Sequence, residues 1–180
     1  MFIVGDIGNT ETKICLVTLD NKIIKRISIN TKKINYNLLQ KSFITLRLKN
    51  KIIKKSLFCS VVPRAFKKIQ SFFNKAYKIK CYELKKLSLK NFIKIKVNYN
   101  QIGSDRLANA IGTTNNKHNF IILDFGTATT FDVLIKDTYS GGIIAPGVKL
   151  SLSTLSDKAT LIPKIDLKKV KNVIGNDTIS

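Results

Sequence analysis

The sequence predicts an α/β fold built as two lobes. Short apolar runs typical of strands alternate with amphipathic stretches typical of helices. An Asp-x-Gly-[Asn/Thr] turn at residues 6–9 recurs at residues 124–127, and each copy lies between two apolar strands. No short tandem period accompanies this recurrence, which excludes a solenoid. With 180 residues, 44% of them hydrophobic, the chain has enough apolar material for one large domain or two small lobes.

The first half of the chain opens as a hairpin. Phe2–Val4 and Lys13–Val17 are strand-like runs on either side of the polar turn Asp6–Thr10, and Lys22–Ile29 continues as a third strand. A helix is predicted over Tyr36–Leu48, because its apolar residues recur at helical spacing. The following predictions are a strand at Ser56–Val62, an amphipathic helix at Arg64–Tyr77, short strands near Ile79–Tyr82 and Phe92–Val97, and a helix at Asp105–Thr114 capped by Ser104.

The second half begins in the same way. Phe120–Leu123 is a predicted strand that leads into the turn Asp124–Thr130, and Phe131–Ile135 continues as the next strand. Gly141–Gly147 is predicted as a strand bounded by sharp turns, and Val148–Leu155 as a helix. From residue 157 onward the pattern indicates a loop, so the second lobe is expected to be incomplete.

The net charge of +21 admits two interpretations. Residues 21–82 carry 17 basic residues and no carboxylate, which is typical of a face that binds nucleic acid or another acidic partner. Only four of the 32 basic residues are Arg, however, and Lys lacks the planar fork that contacts bases and phosphates bidentately. The aromatic residues of Arg64–Tyr77 share one helix face with the apolar residues, which indicates core packing. Compositional drift therefore explains the charge better, and a nucleic-acid partner is not expected.

The sequence indicates a cytoplasmic protein without a membrane segment. Its longest apolar runs have the length of strands, far below the roughly 20 residues that a membrane-spanning helix needs. A carboxylate at the sixth position argues against a signal peptide. The three cysteines are odd in number and contain no Cys-x-x-Cys pair, which favours reduced thiols over disulfides or a zinc site.

The recurring turn suits the binding of a polyphosphate. Glycine allows close approach of the backbone, successive amides form an anion-holding concavity, and threonine adds a hydroxyl. A single copy is typical of an ordinary turn, whereas two copies on paired lobes can clamp a phosphate chain. Asp6 is then placed to hold Mg²⁺ beside the phosphates, directly or through water.

Four aspartates, Asp6, Asp105, Asp124 and Asp132, are expected in or beside turns rich in glycine and hydroxyl groups. Asp105 can be a general base in a cleft, with Arg106 holding an anionic group, or a carboxylate that stabilises a helix N-terminus. The lone His118 is expected at the surface. The chain contains no P-loop motif and no recognisable hydrolase triad, which excludes those classes.

Several motifs together resemble one family, the type III pantothenate kinases. They follow one another in the family's order and spacing: Asp6-Ile7-Gly8-Asn9-Thr10, Ser60-Val61-Val62-Pro63, Gly103-Ser104-Asp105-Arg106, Asp124 to Asp132, Gly141 to Gly147, and Gly175-Asn176-Asp177-Thr178. The resemblance implies the actin-like ATPase fold, with two ribonuclease-H-like lobes and a nucleotide cleft between them. The lobes are expected at residues 1–114 and 115–180, the second being incomplete.

The resemblance also implies an activity: ATP-dependent phosphorylation of pantothenate to 4'-phosphopantothenate, the first step of coenzyme A biosynthesis. Asp105 would be the proton acceptor, and Asp124 would bind a monovalent cation, K⁺ or NH₄⁺. The family works as a homodimer with a shared active site. The residues implied for ATP are Asp6, Ile7, Gly8, Asn9, Thr10, Glu11, Thr12, Lys13 and Thr127, and those for pantothenate are Gly103, Ser104, Asp105, Arg106 and Thr178.

The chain departs from the family in two respects. The family's aromatic residue ahead of Gly-x-Asp-Arg is shifted here to Tyr99, and family members continue past Ser180. An alternative interpretation keeps the fold and changes the function: a non-catalytic or regulatory relative that binds nucleotide, or an anionic partner, through its basic first lobe.

Overall fold

The computed structural model describes residues 1–44, 53 and 55–165. Five strands form a mixed sheet, in which β1 (Phe2–Ile7) lies antiparallel to β2 (Glu11–Val17) and parallel to β4 (Lys55–Ser60). Ile3 and Ile7 of β1 and Ile14 and Leu16 of β2 occupy alternating inward positions, which is why these segments pair with one face buried. The order across the sheet is β3 (Ile23–Asn30), β2 (Glu11–Val17), β1 (Phe2–Ile7), β4 (Lys55–Ser60) and β5 (Cys81–Glu83).

Helices α1 (Tyr36–Ile44) and α2 (Pro63–Tyr77) pack on one another beside this sheet. Proline at the first position of α2 starts the helix without losing a bonded N–H group. The aromatic residues of α2 lie in the core, where Phe72 and Phe73 contact Phe43 of α1 at ring-centroid distances of 5.3 and 5.0 Å. The prediction that they are core residues is confirmed.

A second, four-stranded sheet follows. Strands β7 (Asn119–Phe125), β8 (Ala128–Ile135) and β9 (Thr138–Pro146) form an antiparallel meander, and β6 (Lys94–Ile95) pairs with the outer edge of β9. Helix α4 (Val148–Lys158) comes after β9. The α/β prediction with two sheets is confirmed. The predicted lobe boundary at residue 114 stays a prediction.

Helix α3 (Ser104–Thr113) lies between the two sheets and contacts β4 on one side and β7 and β8 on the other. Its fully buried Leu107 and Ala110 pack in a second hydrophobic core with Leu134 and Tyr139. The helix therefore brings its own N-terminus close to both sheets, and this placement positions the site.

The outer face of the second sheet is rich in exposed apolar side chains. Ile121, Phe125 and Ile143 are 67%, 68% and 67% exposed, whereas their neighbours Phe120 and Ile122 point inward and pack against the second core. Alternation along the strands sends every second side chain to this open face.

Strand bounds differ from the predictions at three functional positions. β1 and β7 continue through Asp6 and Asp124, because ladder pairing extends to the turn itself. Asp132 lies inside β8 and is fully buried, so its expected place beside a turn is wrong. Residues 45–48 of the helix predicted to begin at Tyr36 lie outside the described residues. Within the described chain, no helix is both long and apolar enough to cross a bilayer.

Candidate active site

The two Asp-x-Gly turns meet in space. The first is closed by a hydrogen bond from the Gly8 amide to the Glu11 carbonyl (3.0 Å), and the second by one from the Gly126 amide to the Ala128 carbonyl (3.0 Å). The Oγ1 atoms of the threonines that follow, Thr10 and Thr127, lie 3.1 Å apart. The fold thus places both turns on one cleft between the sheets.

Thr31 fixes the first turn by hydrogen bonds. Its Oγ1 donates a hydrogen bond to the Gly8 carbonyl (2.7 Å) and lies 2.9 Å from Oγ1 of the buried Thr12. Its amide also donates to the Thr10 carbonyl (3.0 Å). The sequence analysis missed Thr31. A signal was present in Thr12, a hydroxyl at an inward strand position otherwise occupied by isoleucine and leucine.

Asp6 lies near the end of β1, opposite Lys13 of β2 and Cys59 of β4. The Cys59 thiol donates a hydrogen bond to Oδ1 of Asp6 (3.4 Å). Burial raises the pKa of Asp6; the thiol bond opposes this rise, and the charges of Asp105 and Asp124 add to it. The negative charges of Asp105 and Asp124 therefore reach Asp6, and a site with this charge favours a cation.

Asp105 lies in the first turn of α3, where Oδ1 accepts a hydrogen bond from the Arg106 amide (2.8 Å). A Cβ atom at Gly103 would overlap that carboxylate oxygen, so glycine leaves the space that Asp105 occupies. Ser104 was predicted as the helix cap, and this is wrong: Gly103 is the cap residue, and the Ser104 hydroxyl donates instead to Oε1 of Glu83 (2.7 Å). For the buried Ser104 hydroxyl, the carboxylate of Glu83 outcompetes the local backbone as hydrogen-bond partner.

Asp124 lies near the end of β7 and accepts a hydrogen bond from the side-chain amide of Asn109 (3.2 Å). Asn109 follows Asp105 by four residues, one helical turn, and so lies on the same face of α3. The helix therefore presents a carboxylate and an amide to the cleft together. Asn109 was not predicted, because only the packing of α3 against β7 reveals its partner.

Arg106 points away from open solvent into the second sheet. Its guanidinium forms an ion pair with Asp132 (Nη2 to Oδ1, 2.6 Å), and its side chain is only 12% exposed. The group is therefore held in one place rather than sampling the surface.

A cavity of about 520 Å³ lies between the first sheet and α3 and is lined by Asp6, Lys13, Cys59 and Ala108, among others. Across residues 1–44, 53 and 55–165, no three His, Cys, Asp or Glu side chains converge closely enough to hold a metal ion. A Mg²⁺ ion at Asp6 would thus take its other ligands from phosphate and water, which is how this ion binds in many phosphotransferases. Burial is the largest cause of the raised pKa of Asp6, and the negative charges of Asp105 and Asp124 add to it, so a cation beside these carboxylates fits the residues present.

Other predicted residues lie outside this arrangement. The Tyr99 hydroxyl donates a hydrogen bond to the Lys85 carbonyl (2.7 Å), so this hydroxyl has a structural role. His118 is exposed, as predicted, and its Nδ1 lies 3.1 Å from the side-chain amide of Asn115. Thr178 lies outside the described residues.

Comparison with known proteins decides the family. A family model described as type III pantothenate kinase matches residues 2–180. The chain belongs to the type III pantothenate kinase family. A curated type III pantothenate kinase from Pelagibacter ubique is 71% identical over 180 residues, which cover 100% of this chain and 73% of that protein. Another, from Desulforapulum autotrophicum, is 34% identical over 188 residues, covering 99% of this chain and 71% of that protein.

A solved structure supports the fold of this family member. The ethanolamine utilization protein EutJ from Carboxydothermus hydrogenoformans matches with a TM-score of 0.51 at 13% identity, covering 90% of this chain and 57% of that chain. At this identity the likeness concerns fold alone. It agrees with an incomplete two-lobe arrangement of the actin-like ATPase kind, as the sequence predicted.

Proposed function

We propose that the cleft between the two turns is where this kinase transfers the γ-phosphoryl group of ATP to pantothenate, in coenzyme A biosynthesis. Membership of the type III pantothenate kinase family supports the activity. The observation that supports the location is the meeting of the Thr10 and Thr127 turns beside Asp6 and Asp105. Two recurring phosphate-type turns and an adjacent carboxylate are the parts that phosphoryl transfer to an alcohol requires.

The nucleotide occupies the two turns. Residues 6–13 and Thr127 hold the polyphosphate through backbone amides and threonine hydroxyls. Lys13 lies opposite Asp6 in the ladder and 3.7 Å from Glu11, which leaves its half-exposed ammonium close to the phosphate path. Catalysis in such a site is chiefly positioning and charge stabilisation.

Asp105 acts as the proton acceptor. The primary hydroxyl of pantothenate attacks the γ-phosphorus; its O–H proton passes to the Asp105 carboxylate as the new O–P bond forms. The bond between the γ-phosphorus and the bridging oxygen breaks, and ADP leaves with that electron pair. Gly103, Ser104 and Arg106 form the pantothenate side of the cleft, and Thr178 is assigned there by resemblance alone.

Two cations complete the proposal. Mg²⁺ at Asp6 would neutralise charge on the phosphoryl oxygens. A monovalent cation, K⁺ or NH₄⁺, would be held at Asp124, whose carboxylate Asn109 orients. The carboxylates of Asp105 and Asp124 act on Asp6, and a triphosphate beside them would add further negative charge, which supports the need for both cations. The proposal also includes a homodimer with a shared active site, which the resemblance implies, and a cytoplasmic location, which the sequence pattern indicates.

One assay tests the function. ATP consumption is measured with a coupled enzyme system, with and without pantothenate, in Mg²⁺ and K⁺. We expect consumption that depends on pantothenate. ATP binding without turnover would favour the non-catalytic alternative, and failure to bind ATP at all would contradict the assignment of the two turns.

A further inference from the structure

Asp132 is a buried carboxylate for which the proposed chemistry provides no role. It lies in the middle of β8 and is 0% exposed. Its Oδ1 accepts hydrogen bonds from Nε of Arg106 (2.7 Å) and from the Tyr139 hydroxyl (2.5 Å), and Thr130 donates to Oδ2 at 3.4 Å. A buried charge is costly unless it is paired and hydrogen-bonded. Asp132 is therefore stable in this buried position because of its hydrogen-bond partners, of which Arg106 carries the compensating charge.

Asp132 engages only part of the Arg106 guanidinium. This group carries five N–H donors in a rigid plane. Nε is hydrogen-bonded to Asp132, and Nη2 lies 2.6 Å from the same oxygen but has no hydrogen-bond partner of good geometry in the described chain. Because Nη2 is itself buried, the donors that remain for a second acceptor are those of Nη1, and the bond to Asp132 fixes the plane in which they lie.

The second sheet also leaves space for this group. Gly142 of β9 pairs with Asp132 in the ladder. A Cβ atom at Gly142 would lie 2.6 Å from Nη2 of Arg106 and closer still to the Phe131 carbonyl. A side chain at this position would displace the guanidinium, so the placement of Arg106 against Asp132 depends on glycine at residue 142.

The Arg106 guanidinium stays charged at neutral pH. Burial lowers the pKa of Arg106, but its bond to Asp132 and the charges of Asp132 and Asp105 raise it above its ordinary value. Burial and the bond to Asp132 raise the pKa of Tyr139, so the phenol remains a neutral donor. Asp137, at the turn of the β8–β9 hairpin, pairs with Lys94 of β6 at 2.9 Å. The network therefore keeps one arrangement under working conditions.

We propose that Asp132, supported by Tyr139, is a positioning residue for the acceptor substrate: it fixes Arg106 next to Asp105, so that the remaining guanidinium donors bind the anionic end of the acceptor. The inference rests on the proposed function and extends it to the opposite sheet. Arg106 directly follows Asp105 in the first turn of α3, so the tether also fixes how the acceptor lies relative to the proton-accepting carboxylate. The effect acts on pantothenate rather than on ATP.

Steady-state kinetics of the full chain test this role. Asp132→Asn keeps the shape and removes the charge, and we expect the KM for pantothenate to rise about 10- to 100-fold while the KM for ATP changes less than about twofold. Tyr139→Phe should change the same constant in the same direction by a smaller factor. The matched control is Asp137→Asn, the same chemical change at the turn of the same hairpin and away from Arg106, which should leave both constants unchanged.

A double-mutant cycle separates positioning from general loss of structure. If Asp132 acts through Arg106, adding Asp132→Asn to Arg106→Lys should raise the pantothenate KM by less than about threefold further. Full additivity, or an unchanged pantothenate KM in Asp132→Asn, would overturn the inference. If Asp132→Asn does not fold, the same test is made with Tyr139→Phe, and an unchanged pantothenate KM in that variant would overturn the inference. Wild-type chain that binds ATP but ignores pantothenate would refute the proposed function instead.

Discussion

The hydroxyl oxygens of Thr10 and Thr127 lie 3.1 Å apart although 117 residues separate them in the sequence. Each residue comes shortly after the glycine of its turn, and the contact is the point at which the two recurring turns touch. A triphosphate between the turns would replace this contact by bonds from both hydroxyls to its own oxygens. The pair therefore marks the proposed path of the polyphosphate.

Removing one of these hydroxyls should weaken ATP use. We expect Thr127→Ala to raise the KM for ATP about 2- to 10-fold, the range of one neutral hydrogen bond, and to leave the KM for pantothenate unchanged. Thr127→Ser should restore the wild-type value, and Thr154→Ala on the exposed surface of α4 is the control. Initial rates over a range of ATP concentrations measure the effect, and an unchanged ATP KM would remove Thr127 from the nucleotide site.

Asp105→Asn should abolish most turnover. A positioned base contributes on the order of 10²–10⁴-fold in rate, and asparagine keeps the shape without the base. ATP affinity should stay near the wild-type value, because Asp105 faces the acceptor. Calorimetry and turnover on one preparation measure both, with Asp157→Asn on exposed α4 as the control. A purely helix-stabilising Asp105 predicts a loss of about 0.3–1 kcal/mol of stability with normal turnover per folded molecule, and that result would exclude it as the base.

Asp6→Asn should stabilise the free protein while impairing ATP use. Because burial raises the pKa of Asp6, the folded state binds a proton more tightly than the unfolded state. The free energy of unfolding therefore decreases as pH rises from the ordinary pKa of 3.8 through the raised pKa of Asp6 in the folded state. At pH 7 the charged carboxylate destabilises the folded protein. We expect the Tm of Asp6→Asn to exceed that of wild type at pH 7, and the difference to vanish as pH approaches 3.8.

Asp20→Asn is the control, because its Tm at pH 7 should change in the opposite direction. A hydrogen bond from Thr18 lowers the pKa of the exposed Asp20, so removing its charge should slightly lower the Tm at pH 7. Thermal melts at several pH values measure both variants. A lower Tm for Asp6→Asn at pH 7 would contradict the assignment of Asp6 as a destabilised, cation-seeking carboxylate.

The Asp124–Asn109 pair predicts dependence on a monovalent cation. Wild-type rates should be high in K⁺ or NH₄⁺ and low in tetramethylammonium, which is too bulky for a site between β7 and α3. Asp124→Asn should remove this difference, because the charge that attracts the ion is gone. Rates at constant ionic strength and constant Mg²⁺ measure it. Equal wild-type rates in K⁺ and tetramethylammonium would count against the site.

The exposed apolar face of the second sheet predicts self-association or poor solubility. Contiguous apolar surface of this kind is a site of association. We expect the triple variant Ile121→Thr, Ile135→Thr and Ile143→Thr to bind less of a hydrophobic dye and to sediment as a smaller species. Ile24→Thr, which alters an exposed isoleucine of the first sheet, is the control. A wild-type chain that stays monomeric and soluble at high concentration would refute this prediction.

Local sequence pattern predicted most of the elements, because periodicity depends on which face of each segment is buried. The helix predicted at Arg64–Tyr77 is found at Pro63–Tyr77, and both hairpins are present. The ends of β1 and β7 were placed too early, since cross-strand hydrogen bonds extend the pairing into polar residues such as Asp6 and Asp124.

The partners within the site could not be predicted in the same way. The bonds of Asn109 to Asp124 and of Arg106 to Asp132 join α3 to the second sheet, and only the packing of α3 between the sheets determines them. Ser104 shows the same limit. Its local pattern predicts a cap, but a carboxylate 21 residues earlier takes its hydroxyl.

Thr31 reduces the conformational entropy that the first turn loses when the nucleotide binds. Its hydroxyl bond to Gly8 and its buried contact with Thr12 fix the first turn by interactions that come entirely from the protein. A loop that must be ordered by its ligand loses conformational entropy at the moment of binding, and that loss weakens affinity. Here the ordering is completed during folding of the first sheet. The polyphosphate meets a turn that is already ordered, and more of its interaction energy remains for holding the nucleotide.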